Sequence, residues 1–410
     1  MPPYRSVVAA LAVGQLLSWA ALYYAFSSFV LPMQAALGWG KPVLMGAFTL
    51  GLTVWGAISY GVGAAIDRGR GRAVLTLGSM LAGVGFLLWS QVEQVATLYL
   101  AWAVLGAAMA MTLYEPAFTV LTKRFPLRYR DGITALTLVG GFASTLSFPA
   151  VAWAVSAWGW RAALAAIGGV LLLGVAPLHA WALRGSDPPP APPAAHDAAA
   201  DATLHEALRH RAFWLLTLTF TLYSFAAATL WAHMMPIFAG KGRSEGEALA
   251  VLAWIGPAQV AGRFAFLAFG RSMTPRRLGL AVLGGLPLSL TVFALADGIG
   301  PLIVFAVLFG IANGLVTIVR GNLVPEYFGR GHVGRIGGAM SAIALLARAA
   351  APLLTAWLLL ALAGYRDLLL VLAGLGVAAF ASFAFARPPR AVRASCPASS
   401  CRSPASSGSG

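Results

Sequence analysis

The sequence predicts an all-α membrane protein: twelve transmembrane helices arranged as two pseudo-symmetric six-helix halves. Three observations predict it. Of 410 residues, 59% are hydrophobic and only 10% charged, where an ordinary soluble domain carries roughly 25% charged residues. Forty-one charged side chains could not clothe a soluble protein of this size while so much Leu, Ala, Val and Phe stays hidden. The second observation is a series of twelve apolar runs near the length of about 20 residues that a helix needs to cross a bilayer. They lack the ten-residue alternation of a β-barrel. The third is one long Pro/Ala-rich connection that divides the runs six and six.

In order, the runs lie at about 7–31, 43–66, 73–90, 96–119, 132–155 and 161–183, then 212–238, 248–270, 278–296, 301–324, 335–362 and 367–386. They are called spans 1 to 12 below. Span 1 follows Arg5 and runs to Pro32; it is too long for a secretory leader and has no convincing cleavage signal, so it reads as a first crossing. Span 2 gives way to the short basic turn "GAAIDRGRGR", in which an acid at a helix end precedes a basic run and can latch helix ends together. Spans 3 and 9 are short. Spans 4, 8, 10 and 11 carry charge inside the membrane and are treated below. After span 6 comes "RGSDPPPAPPAAHDAAADATLHEALRHR", residues 184–211. Its Pro/Ala-rich part is a flexible tether, and Thr203 to Arg211 forms a short interfacial helix. The expected organisation is therefore a first half over 1–183, a linker over 184–211, a second half over 212–387 and a disordered tail over 388–410.

Lys and Arg in the loops set the orientation. With the N-terminus in the cytoplasm, twenty basic residues fall on the cytoplasmic side, five on the other and three inside spans. Both termini are expected in the cytoplasm and the protein in the cell inner (plasma) membrane. The net charge of +15 marks topology and not nucleic-acid binding. No cysteine precedes Cys396, so disulfide scaffolds, thiolate metal sites and cysteine nucleophiles have no material in the body of the chain. No P-loop, zinc pattern or nucleophile elbow is present. No cofactor, metal or catalytic residue is expected, and the chain is read as a monomer and not as an enzyme.

A shift of 205 residues superposes Gly51 on Gly256, Arg72 on Arg277, Gly159 on Gly364, Arg161 on Arg366 and Gly169 on Gly374. Such an internal repeat is a transporter layout, with two halves rocking about a central site.

The ionisable groups within spans are the informative ones, each costing about 3 kcal/mol at a helix centre. They are Glu115 in span 4, Arg263 in span 8, Arg320 in span 10 and Arg348 in span 11. Three arginines against one glutamate leave a positive surplus that calls for an anion, and a guanidinium holds a carboxylate or phosphate with two parallel hydrogen bonds. Arg263 and Arg348 are the candidate anion-binding residues; the competing reading has either of them capping carbonyls of a broken helix or meeting a water network. Glu115 and Arg320 occupy corresponding places in the two halves. Two readings stand for them: a proton-coupling pair, in which desolvation and a neighbouring arginine oppose each other, or a gate salt bridge that does not titrate. Gln15, Trp19, Tyr23, Tyr24, Tyr114, Tyr223 and Trp231 are candidates to line a pocket, with Tyr24, Tyr114 and Trp231 the chosen substrate contacts. His233, near Pro236, is read as interfacial packing.

With these residues in view, the chain over about 5–387 resembles the major facilitator superfamily of secondary transporters. The loop after span 2 resembles the family signature Gly-x-x-x-Asp-Arg-x-Gly-x-Arg at Gly63, Asp67 and Arg68; the following glycine, Gly71, arrives one residue late. The stretch "YYAFSSFVLPMQAALGW" is similar to the monocarboxylate transporter and oxalate/formate antiporter branch. That branch places a basic residue in span 8 and often another in span 11 to hold carboxylates, and Arg263 and Arg348 fall on those positions. The resemblance implies the major facilitator fold, with spans 1, 4, 7 and 10 lining a cavity, and a gate at Asp67 and Arg68. The expected function is alternating-access transport of small organic anions, mono- or dicarboxylates, by proton symport or anion exchange. The first alternative is a proton-coupled exporter of drugs or metabolites with Glu115 as proton carrier; the second is a non-transporting receptor.

Overall fold

The computed structural model describes residues 2–185, 201–270 and 273–388. Part of the expected tether, Arg271 and nearly all of the expected tail, with Cys396 and Cys401, lie outside the described residues. Among the described residues there are helices and no strands.

Among the described residues, ten helical stretches are long and apolar enough to cross a membrane, and two of these, Lys41–Ser90 and Tyr129–Ala182, are 50 and 54 residues long. Each of the two is a pair of crossings joined by a glycine. Gly69 (φ 81°) turns span 2 into span 3, and Gly159 (φ 77°) turns span 5 into span 6, in a backbone region that favours glycine. The twelve crossings follow. Their ends differ from the sequence limits by several residues; span 1, for example, runs Tyr4–Leu37 with a π turn at Ala20–Tyr24.

Most buried apolar residues from Ala207 onward gather into one core, built around Phe213, Phe238, Phe293, Phe305 and Phe328, while Leu345 and Ala349 join the earlier residues around Trp55. The earlier residues gather around Trp55, Trp89 and Trp102 and, nearer the chain start, around Leu11, Leu75 and Leu121. These two groups of helices meet along spans 2 and 11. Gly56, Ser59 and Gly63 face Ala342, Gly338 and Gly334, and a Cβ at either Gly63 or Gly334 would run into the other's backbone. Small residues at four-residue spacing permit this approach, as at many helix crossings in membranes.

The linker resumes at Asp201 and leads into the helix Leu204–Arg209, shorter than the expected interfacial helix. Thr203 and Glu206 form a capping box there: the Thr203 N–H and hydroxyl donate to Glu206, and the Glu206 N–H donates to Thr203 Oγ1. These bonds hold the Glu206 carboxyl below the usual carboxylate range. The segment is fixed to the second group of helices. Ala202 N donates to Phe328 O (2.9 Å), and Arg330 N donates to Asp201 Oδ1 (2.7 Å).

Candidate functional site

One helix break and one close helix contact set the site's chemistry. Pro116 cannot donate to Thr112 O and its ring crowds that carbonyl, so span 4 stops being helical at Leu113 and restarts at Tyr114. The freed Thr112 carbonyl accepts from Gln15 Nε2 (2.6 Å). Glu115 thereby sits in the first turn of a new helix, where the dipole favours a carboxylate. In span 8, the helix Ile255–Phe269 lies against span 10 at Gly310 and Gly314; a Cβ on Gly314 would stand 2.8 Å from Gln259 O. That closeness lets Arg263 Nε donate to Gly314 O (3.0 Å).

Between the two groups of helices lies a cavity. It is lined by Arg263, Arg320 and Arg348, by Trp19, Tyr23, Tyr24 and Tyr114 from spans 1 and 4, and by Phe220 and Tyr223 from span 7. Arg263 is 4% exposed, and its guanidinium lies against Gly141, where span 5 breaks, leaving no room for a side chain there. Its NH1 is buried without a partner. Arg348 donates to Tyr23 Oη (2.7 Å) and stands 5.0 Å from the centre of that ring. A second chamber shares Trp19, Tyr114, Arg320 and Arg348 with the first and adds Glu115. Glu115 Oε1 lies 3.6 Å from Arg320 NH1, with side chains 27% and 25% exposed. Arg320 also donates to Ser341 Oγ (2.8 Å). One of the three arginines is thus paired with an acid, and Arg263 and Arg348 have no carboxylate partner among the described residues.

The cavity is shut on the face that carries Tyr4 and Ala386, the terminal face. Asp67, its side chain 3% exposed, accepts from the Gly334 and Arg335 N–H groups (3.0 and 2.8 Å) at the start of span 11. Those are first-turn donors with no partner inside the helix. Lys123 joins Asp67 (3.3 Å) to the Gly331 carbonyl (3.0 Å). Arg330 donates to Pro126 O (2.7 Å) and Arg130 to Glu326 (3.0 Å). Among the described residues, the hydrogen bonds and ion pairs that cross between the two helix groups lie at the level of Arg348 or nearer the terminal face.

The structure therefore brings Arg263, Arg348, Arg320, Glu115, Tyr24 and Tyr114 to one place. It does not bring Trp231 there. That residue sits one turn beyond Ala227, the last cavity residue of span 7; it is 45% exposed and packs edge-on against Phe309 at 5.8 Å. Arg68 also departs from expectation. It is exposed and makes no hydrogen bond or ion pair across the gate among the described residues, because Gly69 turns the chain immediately after it; Lys123 supplies the cation instead. Arg72 stays within the first helix group, donating to Ala180 O (3.0 Å). His233 is half-buried, 6.1 Å from the Tyr365 ring. Residues not singled out from sequence also line the cavity, among them Gln259, Asn313 and Thr317. Their only signal was proximity to Arg263 and Arg320 along a helix face.

The sequence profile described as Major Facilitator Superfamily matches residues 11–298. The chain is 26% identical over 333 residues to monocarboxylate transporter 13 of Rattus norvegicus, covering 79% of this chain and 73% of that protein. It is 29% identical over 289 residues to monocarboxylate transporter 11 of Homo sapiens, covering 66% of this chain and 59% of that protein, so this match spans less than two thirds of the human protein. Among solved structures, the human organic anion transporter MFSD10 (TETRAN) superposes with a TM-score of 0.73 at 18% identity, over 93% of this chain and 100% of that one. The Major Facilitator Superfamily transporter FucP in the outward conformation gives 0.74 at 13% identity, with the same coverage. At these identities the structural likeness speaks to fold.

Proposed function

Because the chain belongs to the Major Facilitator Superfamily, and so is a membrane transporter and not an enzyme, we propose that it is a secondary active transporter of small organic anions. The substrates are mono- or dicarboxylates, moved by alternating access through proton symport or anion exchange. One observation carries this reading: Arg263 and Arg348 line the cavity without an acidic partner, and Arg263 NH1 is buried with no acceptor. An unpaired buried charge is strongly unfavourable, and a carboxylate between the two guanidinium groups removes the penalty. Kinship with two proteins named as monocarboxylate transporters supports the same substrate class. The excess of Lys and Arg in loops on the terminal face supports termini in the cytoplasm, and the proposed place is the cell inner (plasma) membrane.

A second reading, a proton-coupled exporter with Glu115 as proton carrier, has one observation in its favour: Glu115 Oε2 is buried and unpartnered.

The test is equilibrium binding of carboxylates, by scintillation proximity, to the wild type and to Arg263→Lys, Arg263→Ala and Arg348→Ala. Loss of one charge-assisted hydrogen bond weakens binding about ten- to a hundredfold. Arg263→Lys keeps the charge but loses the planar fork, so it should bind more weakly than the wild type and better than Arg263→Ala. Equal affinity in all four proteins, or binding of cations alone, would defeat the anion reading.

A further inference from the structure

Building on that reading of the cavity, we propose that the carried anion contains an aromatic ring: the geometry assigns the site to aryl carboxylates in preference to short aliphatic ones. Trp19, Tyr24 and Tyr114 form one wall, in mutual contact with Trp19–Tyr114 and Trp19–Tyr24 ring centres 4.9 and 6.3 Å apart. Phe220 and Tyr223 line the same cavity from span 7, in the other group of helices. Among the described residues no ring of the first wall contacts a ring of the second; the ring pairs of each group stay within that group. The space between the walls is therefore flanked by aromatic side chains from both groups, with the Arg320 guanidinium 5.7 Å from the centre of the Phe220 ring and Phe118, outside the cavity lining, stacked on Tyr114.

The polar groups left over in the cavity agree in kind. Arg263 NH1, Tyr223 Oη and Trp19 Nε1 are buried without a partner; two carry N–H hydrogens and the third an O–H. What these three groups lack is acceptors, and a carboxylate supplies two oxygens with about four acceptor positions. Acetate would satisfy the arginines but leave both aromatic walls against water, which burial of an apolar body would relieve. A ring carrying its carboxylate at one edge meets both needs: oxygens toward Arg263 and Arg348, faces toward Trp19, Tyr24 and Tyr114 on one side and Phe220 and Tyr223 on the other. Such a ligand touches both groups of helices at once, so it rewards their approach as well as its own binding.

The experiment compares benzoate, acetate and benzamide by thermal shift and by competition on the full-length protein in detergent, then by counterflow in proteoliposomes. Benzoate should bind roughly tenfold more tightly than acetate, given ring contacts on top of area burial, and benzamide should bind far more weakly than benzoate. Tyr223→Leu and Phe220→Leu should each lower the benzoate-to-acetate ratio. Equal affinity for benzoate and acetate overturns the aryl assignment while leaving the anion reading intact. A ratio unchanged in both variants likewise overturns the placement of the ring. Benzamide binding as tightly as benzoate, or no binding of either carboxylate, overturns the anion reading itself.

Discussion

Among the described residues, Arg320 is the one cavity arginine with an acid at hand, and its pairing with Glu115 at 3.6 Å has a direct consequence. Removing one partner leaves the other charged in a poorly solvated place, whereas removing both does not. Glu115→Gln and Arg320→Gln should each impair uptake, and the double variant should recover part of it; a double variant no better than the worse single one would separate their roles. If Glu115 also carries the proton, Glu115→Gln abolishes pH-driven accumulation and spares exchange. Asp67 makes a second residue-scale case. Asp67→Asn gives up a carboxylate that accepts two backbone N–H groups, a loss of about 2 kcal/mol or roughly thirtyfold in the gate equilibrium. Cysteine-labelling rates of a reporter in the second chamber, measured from the terminal face, should rise accordingly. The buried charges were legible in the sequence because they are rare against an apolar background. Lys123 was not, because it looks like any other basic loop residue until Gly331 comes beside it, and Trp231 was misjudged because sequence gives depth along a helix only coarsely.

At the scale of elements, the crossing of spans 2 and 11 depends on the absence of side chains at Gly63 and Gly334. Gly63→Val should hold these helices apart and weaken closure at the terminal face, whereas Gly61→Val, which meets open space, should do so far less. Both substitutions carry the same small helix-propensity change, so the contrast in labelling from the terminal face isolates the contact. The linker is an element with a similar part to play. Asp201 accepts from Arg330 N next to the bond from Arg330 to Pro126 O, so Asp201→Ala should loosen the turn at residues 329–331 and speed hydrogen exchange there. Span number and order were legible from hydropathy. The breaks at Leu113 and Gly141 were harder to see: Pro116 announces the first only when its effect on the preceding carbonyl is worked out, and nothing in the run "LVGGFAS" distinguishes a break from a small-residue packing face.

For the whole molecule, two helix groups touch on one face and enclose charge at the centre. The chain beyond Arg387 is rich in Ser, Pro and Gly and has no apolar face to bury; truncation there should leave expression and uptake intact, as judged by size-exclusion profile and transport rate. The six-and-six division was readable from the tether, but the state the molecule adopts was not, since closure on the terminal face is decided by a handful of backbone acceptors and donors that sequence does not rank. The two unpaired arginines have a further meaning for energetics across the bilayer. If the cavity opens first to one side and then to the other, an empty molecule exposes its surplus positive charge to a membrane potential that changes sense relative to it, at up to about 2.3 kcal/mol per charge for each 100 mV. A monoanionic cargo cancels one of those charges and a dianion both. The return of the empty carrier should therefore depend on voltage more steeply than its return loaded, so that net flux in vesicles responds to an imposed potassium diffusion potential while one-for-one exchange of a dianion hardly does.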